Sequence, residues 1–271
     1  VIPNAQPIAL DGFQKASVSP VLSSFIDSYW CIKSTEYAPK TTHFLHSDCA
    51  SGIIFNFQQP LTINDSRLDS DGYICTTFFQ SQKLNLTKNI DALGVRFKPA
   101  ATKLFTDFQA KDIRDLITTD VCTFSTNYMY DQLANHDSFC AQVHFLNGFF
   151  TAHLHTKTIN IAQQHISQSL LGIVSKMCGN LTLDDLSTKT GLHTKKIERL
   201  FAEYIGMNFR QCSQIIKAKL AMQAIKTQPN LPLAELALTL NYFDQAHFTN
   251  QFKKIIGVTP ANYRQIKHKT A

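Results

Sequence analysis

A chain of 271 residues, 44% hydrophobic and 17% charged, is long enough for two domains with separate cores. No apolar run approaches the roughly 18 residues that a membrane-spanning helix needs. The net charge of +6 is unevenly placed: residues 172–271 hold 14 Lys/Arg against 6 Asp/Glu, about +8, and the first 171 residues hold 12 against 14, about −2. A basic module joined to a slightly acidic one is the asymmetry expected of a nucleic-acid reader attached to a sensor. The seven cysteines are an odd number, scattered, with no C-x-x-C pair. That pattern points to reduced thiols rather than a disulfide frame or a zinc site. The first 25 residues lack a basic start followed by an apolar core, so no secretory signal is expected and the location expected is cytoplasmic.

Residues 1–20 read as a loose lead-in. Val21 to Trp30 suits a strand or a short helix. Then the texture is β. Ser51 to Phe57 is β-branched and aromatic and stops at Pro60. Tyr73 to Phe79 follows the turn signal Asp69-Ser70-Asp71-Gly72, and Ala92 to Phe97 ends before Pro99. Short strands at this spacing predict a small β-barrel or sandwich. After Pro99 the spacing turns helical over Ala100 to Phe108, with Asp112 to Leu116 as a continuation. A longer helix is capped by Ser138, with Phe139, Val143, Leu146, Phe150 and Leu154 on one face. That stripe packs on the β unit or forms a dimer contact. Residues 1–150 are therefore expected to form a regulatory or dimerisation domain, 151–164 a linker, and 165–271 a second, all-α domain, giving an α+β chain.

The second domain carries one helical pattern twice. Leu186, Ser187, Gly191, Leu192, Ile197, Phe201 and Gly206 are answered by Leu236, Ala237, Asn241, Tyr242, Phe248, Phe252 and Gly257. The offset grows by one residue at the turn. Each copy reads as a helix-turn-helix. In the first, Thr182 caps a short helix with Asp184 and Asp185 in its first turn, Gly191 takes a left-handed turn, and Thr194 caps the second helix. Ile197, Leu200, Phe201 and Ile205 point inward, leaving Lys195, Lys196, Glu198 and Arg199 outward where this motif meets base edges. Arg199 suits guanine and Glu198 suits cytosine; Lys195 suits a base and Lys196 a phosphate. Arg210 to Thr227 is a joining helix, roughly 27 Å long at 1.5 Å per residue, near the DNA repeat of about 34 Å. In the second copy Asp244 caps the reading helix. Gln245, Ala246, Thr249 and Asn250 face outward toward bases, Lys253 and Lys254 toward phosphates, and Arg264, Lys267 and Lys269 form a basic tail.

The run Asp244-Gln245-Ala246-His247-Phe248-Thr249-Asn250-Gln251-Phe252-Lys253-Lys254-Ile255-Ile256-Gly257-Val258-Thr259-Pro260-Ala261-Asn262-Tyr263-Arg264 resembles the C-terminal signature of AraC-type transcription regulators. The resemblance covers about residues 165–266. It implies a seven-helix domain on an extended, asymmetric double-stranded DNA site, with base contacts at Lys195, Glu198, Arg199, Gln245, Ala246, Thr249 and Asn250. It also implies RNA polymerase as a partner, and activation. Two positions depart from the pattern: Asn208-Phe209 stands where a Ser-Pro-like pair often begins the joining helix, and Asn250 where Arg or Lys is common.

His46 to Phe57, with Gly94-Val95-Arg96-Phe97-Lys98-Pro99, resembles an uncharacterised domain often fused in front of AraC-type domains. This implies effector sensing, dimerisation, or both. For an apolar small-molecule effector, the candidate wall is Trp30, Phe55, Phe57 and Phe97, within a Phe-rich interior that includes Phe44 and Phe78; a plain core is the competing expectation. His43 and His46, three apart on a strand, fall on opposite faces. No metal or cofactor is expected there, nor at His153 and His155. Two rival functions are an enzyme, metal- or thiol-dependent at Cys49 or Cys75 and targeted to DNA, and a first domain that binds a protein partner.

Overall fold

The computed structural model describes residues 12–35, 41–86, 88–105, 117–118, 126–156 and 161–269. The strands are β1 (Phe13–Ala16), β2 (Ile26–Lys33), β3 (Thr41–Leu45), β4 (Gly52–Asn56), β5 (Leu61–Ile63), β6 (Ser66–Leu68), β7 (Asp71–Cys75), β8 (Gln82–Leu86), β9 (Asp91–Phe97) and β10 (Ile117–Thr118). They form an antiparallel six-stranded sheet, β1-β2-β9-β4-β7-β10, and a four-stranded sheet, β3-β8-β5-β6. Helices α1 (Thr102–Phe105), α2 (Thr126–Ala134) and α3 (Phe139–Thr156) follow. The rest of the chain is helical: α4 (Ile161–Lys176), α5 (Leu183–Thr190), α6 (Thr194–Leu200) with a π-type last turn Phe201–Ile205, α7 (Phe209–Thr227), α8 (Leu233–Thr239), α9 (Gln245–Ile256) and α10 (Pro260–Lys269).

The six-stranded sheet is buried on both faces because its central strands alternate two apolar sets. On β9, Leu93, Val95 and Phe97 face the helices and join Tyr29, Phe55, Phe105 and Phe150 in one core. Ala92 faces the other way, with Ile32 and Ile54, onto Leu61, Ile63, Leu68 and Leu86 of the smaller sheet. A sandwich with helices on one side results. The stripe of α3 packs on the β unit: Leu146 and Phe150 are fully buried, and Phe150 meets Phe97 and Phe105 edge-on at 5.9 and 5.0 Å. The Ala141 amide donates to Ser138 Oγ at 3.2 Å, the expected cap. Trp30 lies flat over its cross-strand partner Gly94, where a Cβ would stand 2.0 Å from the indole. Glycine is required there by close approach.

Several expectations need adjusting. Val21–Trp30 divides between a 3-10 turn at Pro20–Leu22 and the start of β2. The strand expected to reach Phe79 ends at Cys75, because the chain turns away to meet the C-terminal helices: Thr77 Oγ1 donates to the Ile205 carbonyl at 2.9 Å. Of the helix expected over Ala100–Phe108, Thr102–Phe105 is helical, Ala100 and Ala101 precede it in a turn with Ala100 at φ 67°, and residues 106–108 lie outside the described residues, as does Asp112–Leu116. Helix α3 continues through Thr156, inside the segment expected to be linker. Phe44, expected inside, is 39% exposed at the end of an outer strand.

The C-terminal helices dock on one end of the sandwich. Gln168 Nε2 donates to the carbonyls of Ser24 and Pro99, each at 3.1 Å. Lys103 pairs with Glu203 at 3.7 Å and sits 4.7 Å over the Tyr204 ring. Cys49, Ala100 and Phe79 belong to the C-terminal core rather than to the sandwich.

Candidate nucleic-acid interface

The first unit is set by its caps. Thr182 Oγ1 accepts from the Asp185 amide at 3.1 Å, and Asp185 Oδ2 accepts from the Thr182 amide at 2.8 Å. This reciprocal capping box starts α5. Gly191 closes it at φ +67° and returns its amide to the Ser187 carbonyl. Ser187 Oγ spans the turn, donating to the Leu192 carbonyl at 2.7 Å. The cap of α6 is not Thr194: His193 is the N-cap, without a side-chain bond, and Thr194 is the first helical residue. Ile197, Leu200, Phe201 and Ile205 are at most 1% exposed. Burial of four such side chains, about 1.5–3 kcal/mol each, fixes which face turns out. Lys195, Glu198 and Arg199 are exposed there, with Lys196 half-buried beside them.

Helix α7 joins the units and is itself capped by Asn208. Its side chain accepts from the Gln211 amide at 2.8 Å, and Gln211 Oε1 accepts from the Asn208 amide at 3.0 Å. The departure from a Ser-Pro start is therefore made good by a second capping box. Gln214 of α7 bonds Gln251 of α9 at 3.2 Å, which ties the joining helix to the second reading helix.

In the second unit Asn241 takes the left-handed turn at φ 56°. Asn is the residue best able to replace Gly there. Asp244 Oδ1 accepts from the His247 amide at 2.6 Å and starts α9. Phe248, Phe252, Ile255 and Ile256 are buried, and Gly257 ends the helix at φ +91°. Gln245, Ala246, Asn250, Lys253 and Lys254 are exposed, and Thr249 is half-buried. Phe243, between the turn residue and the cap, is 88% exposed. It stands just ahead of α9 and belongs to no periodic pattern in the sequence. Arg264 is not part of a free tail: it lies on α10 and donates to the Leu231 carbonyl at 2.6 Å.

Of the four aromatics named as an effector wall, three share one filled core and the fourth lies across the sheet. Phe55 and Phe97 are fully buried on the helix side of the sheet, and Phe57 lies at its margin against Tyr130, centroids 5.2 Å apart. Trp30 is on the opposite face, with the smaller sheet. Among the described residues no cluster of three or more His, Cys, Asp or Glu is placed to hold a metal ion. Burial pushes the Cys75 thiol up to about 12. Burial and the neighbouring Cys49 also push up the Cys212 thiol, away from the thiolate that nucleophilic chemistry needs. His46 sits at the domain junction, Nδ1 2.7 Å from Ser81 Oγ and its ring edge-on to Tyr263. Burial, followed by Lys226, Lys267 and Lys219, pulls its pKa down to about 4 and keeps it neutral. Burial raises Asp48, but Arg96 and Lys219 outweigh it and hold the carboxyl below its usual range. No helix among the described residues is long and apolar enough to cross a membrane.

Residues 186–266 match the family model described as a helix-turn-helix domain, and residues 14–119 match one described as a domain of unknown function, DUF6597. The chain is 31% identical over 109 residues to the F1 operon positive regulatory protein of Yersinia pestis, covering 40% of this chain and 34% of that protein. It is 30% identical over 105 residues to the transposon Tn10 TetD protein of Escherichia coli, covering 38% of this chain and 73% of that protein. The match thus spans about a third of the Yersinia protein. Among solved structures, ToxT from Vibrio cholerae aligns over 94% of this chain and 98% of its own at 12% identity and a TM-score of 0.46, too loose a likeness to add to the fold described above.

Proposed function

The chain belongs to the AraC-type transcription regulators, and on that premise we propose that it binds double-stranded DNA sequence-specifically through α6 and α9 and activates transcription under control of its N-terminal domain. One observation carries this. Two helices of the same motif turn charged or amide side chains to solvent, above inward faces that are almost fully buried, and a 19-residue helix joins them. Helices so joined suit two major-groove segments about one turn of the duplex apart. Arg199 offers a fork to guanine, and Gln245 and Asn250 offer amides to adenine. Lys196, Lys253 and Lys254 neutralise phosphates, which fixes register without reading sequence. An activator of this kind works on RNA polymerase, so the polymerase is the second partner in this reading and a homodimer the third.

Control through the N-terminal domain requires a ligand or partner that binds two states of the protein unequally. Tyr29, Phe55, Phe97, Phe105 and Phe150 are each below 2% exposed. This filled core favours control at a surface, by a small effector or a partner protein, over an apolar molecule held between sheet and helices.

Selection of bound fragments from random DNA, repeated at several salt concentrations, tests the proposal. The expected product is an asymmetric site of two short segments, with affinity falling steeply as salt rises. Equal affinity for selected and unselected DNA at every salt concentration would contradict it.

A further inference from the structure

The loop between β7 and β8, residues 76–81, belongs to the N-terminal sandwich yet touches both reading helices. Thr77, itself buried, donates its hydroxyl to the Ile205 carbonyl at 2.9 Å. Ser81 gives both its amide, at 2.7 Å, and its hydroxyl, at 2.9 Å, to the Ile255 carbonyl. Since that hydroxyl has one proton, His46 Nδ1 is the donor in its 2.7 Å contact with Ser81 Oγ. Between the two anchors Phe79 packs on the C-terminal core, with Lys254 Nζ 5.7 Å over its ring.

The acceptors give these bonds their meaning. A helix leaves its last four carbonyls without an intrahelical donor. Gly206 and Gly257 return their amides to the carbonyls of Phe201 and Lys253, at 3.0 and 2.9 Å. Ile205 and Ile255, just ahead of those glycines, receive donors from the other domain instead. One short loop therefore finishes the C-terminal ends of both helices that carry the outward base-reading side chains. A joining rod sets how far apart two helices lie. A common anchor at their ends also sets how each is turned.

We propose that Thr77 and Ser81 are positioning residues that hold α6 and α9 at one relative setting, so that the N-terminal domain fixes the spacing between the two DNA segments the chain accepts. The proposal rests on α6 and α9 being the DNA-reading helices.

The test uses the full chain and fragments selected from random DNA, with the spacer between the two selected segments shortened or lengthened by a base pair. Wild type is expected to lose about tenfold in affinity per base pair of misfit, and Thr77→Val/Ser81→Ala about threefold or less, with base preferences inside each segment unchanged. Thr77→Ser and Ser81→Thr keep the hydroxyls and are expected to keep the discrimination. Should the double variant fail to fold, the single variants Thr77→Val and Ser81→Ala carry the same comparison. A spacer preference in a folded variant equal to that of wild type overturns the proposal, whether overall affinity rises, falls or holds. A wild type that selects no sequence at all overturns the DNA-reading assignment and this proposal with it, and Arg199→Ala separates the two by changing preference within one segment while leaving the spacer preference intact.

Discussion

In the first reading unit the turn is made by Gly191 at φ +67°, and the exposed face of α6 carries Lys195, Glu198 and Arg199. In the second the turn is made by Asn241 at φ 56°, and the exposed face of α9 carries Gln245, Ala246 and Asn250, with Lys253 and Lys254 further along. The inward faces match: Ile197 and Phe201 in one, Phe248 and Phe252 in the other, all fully buried. The shared pattern thus serves packing, and the outward chemistry is free to diverge. A guanidinium bonding a base edge through two donors discriminates strongly. Neutral amides discriminate less, and lysines on phosphates hold position. In the proposed reading the first unit chooses, and the second holds and chooses a little.

The largest effect should come from breaking the shared part. Phe248→Ala should cost about 3–5 kcal/mol, seen as a lowered thermal midpoint and loss of the second DNA segment from the footprint, with the first retained. Retention of both segments would mean that α9 does not depend on Phe248 for its place in the core. Next in size is the divergent part. Arg199→Ala should cost about 1–3 kcal/mol and relax preference at one base, whereas Lys253→Ala should weaken all sequences alike and lower the salt slope by about 1. Competition titrations at several salt concentrations separate the two, and equal loss by Arg199→Ala on specific and random DNA would remove its base-reading role.

Acid should also distinguish the units. His46 supports the Ser81 contact on the second unit; the Thr77 contact on the first has no titratable group in its bond. With a folded-state pKa of about 4 against 6.5 when free, His46 binds its proton more tightly once the contact opens. The contact is then fully present above about pH 6.5 and is lost as pH falls toward 4. Hydrogen exchange should show protection of the Ser81 amide declining over that range while that of the Gly206 amide holds. Parallel behaviour of the two would contradict the asymmetry. Smallest of all is the turn itself. Exchanging Gly191→Asn or Asn241→Gly should move stability by less than about 1 kcal/mol, and Gly191→Val by roughly 1–2 kcal/mol more.

Most of the second domain was legible because its signals are local. Thr182, Gly191, Asn241, Asp244 and Gly257 each fix a boundary through bonds within a few residues. The Asn208-Gln211 box is local as well, an amide cap with Gln three residues on in place of a Ser-Pro start. The sandwich was only half legible. Central strands β4 and β9 contain the apolar runs Ile53–Phe55 and Ala92–Val95, whereas β8 is Gln-Lys-Leu-Asn-Leu, and β5 and β6 have three residues each. Such strands are defined by their partners, and pairing across tens of residues leaves no local trace. The contacts of Thr77 and Ser81 are separated from their acceptors by 128 and 174 residues, and an isolated hydroxyl in a β-turn sequence predicts neither. The sidedness of Trp30 likewise depends on register with Gly94.

In the proposed reading α6 and α9 enter the same face of one duplex together. Hydroxyl-radical and methylation footprints of the full chain on a selected fragment test it most directly. Two protected major-groove segments are expected, on one face and about 10 base pairs between centres, with both kept in Arg199→Ala and the second lost in Phe248→Ala. A single protected segment, or two on opposite faces of the duplex, would contradict it.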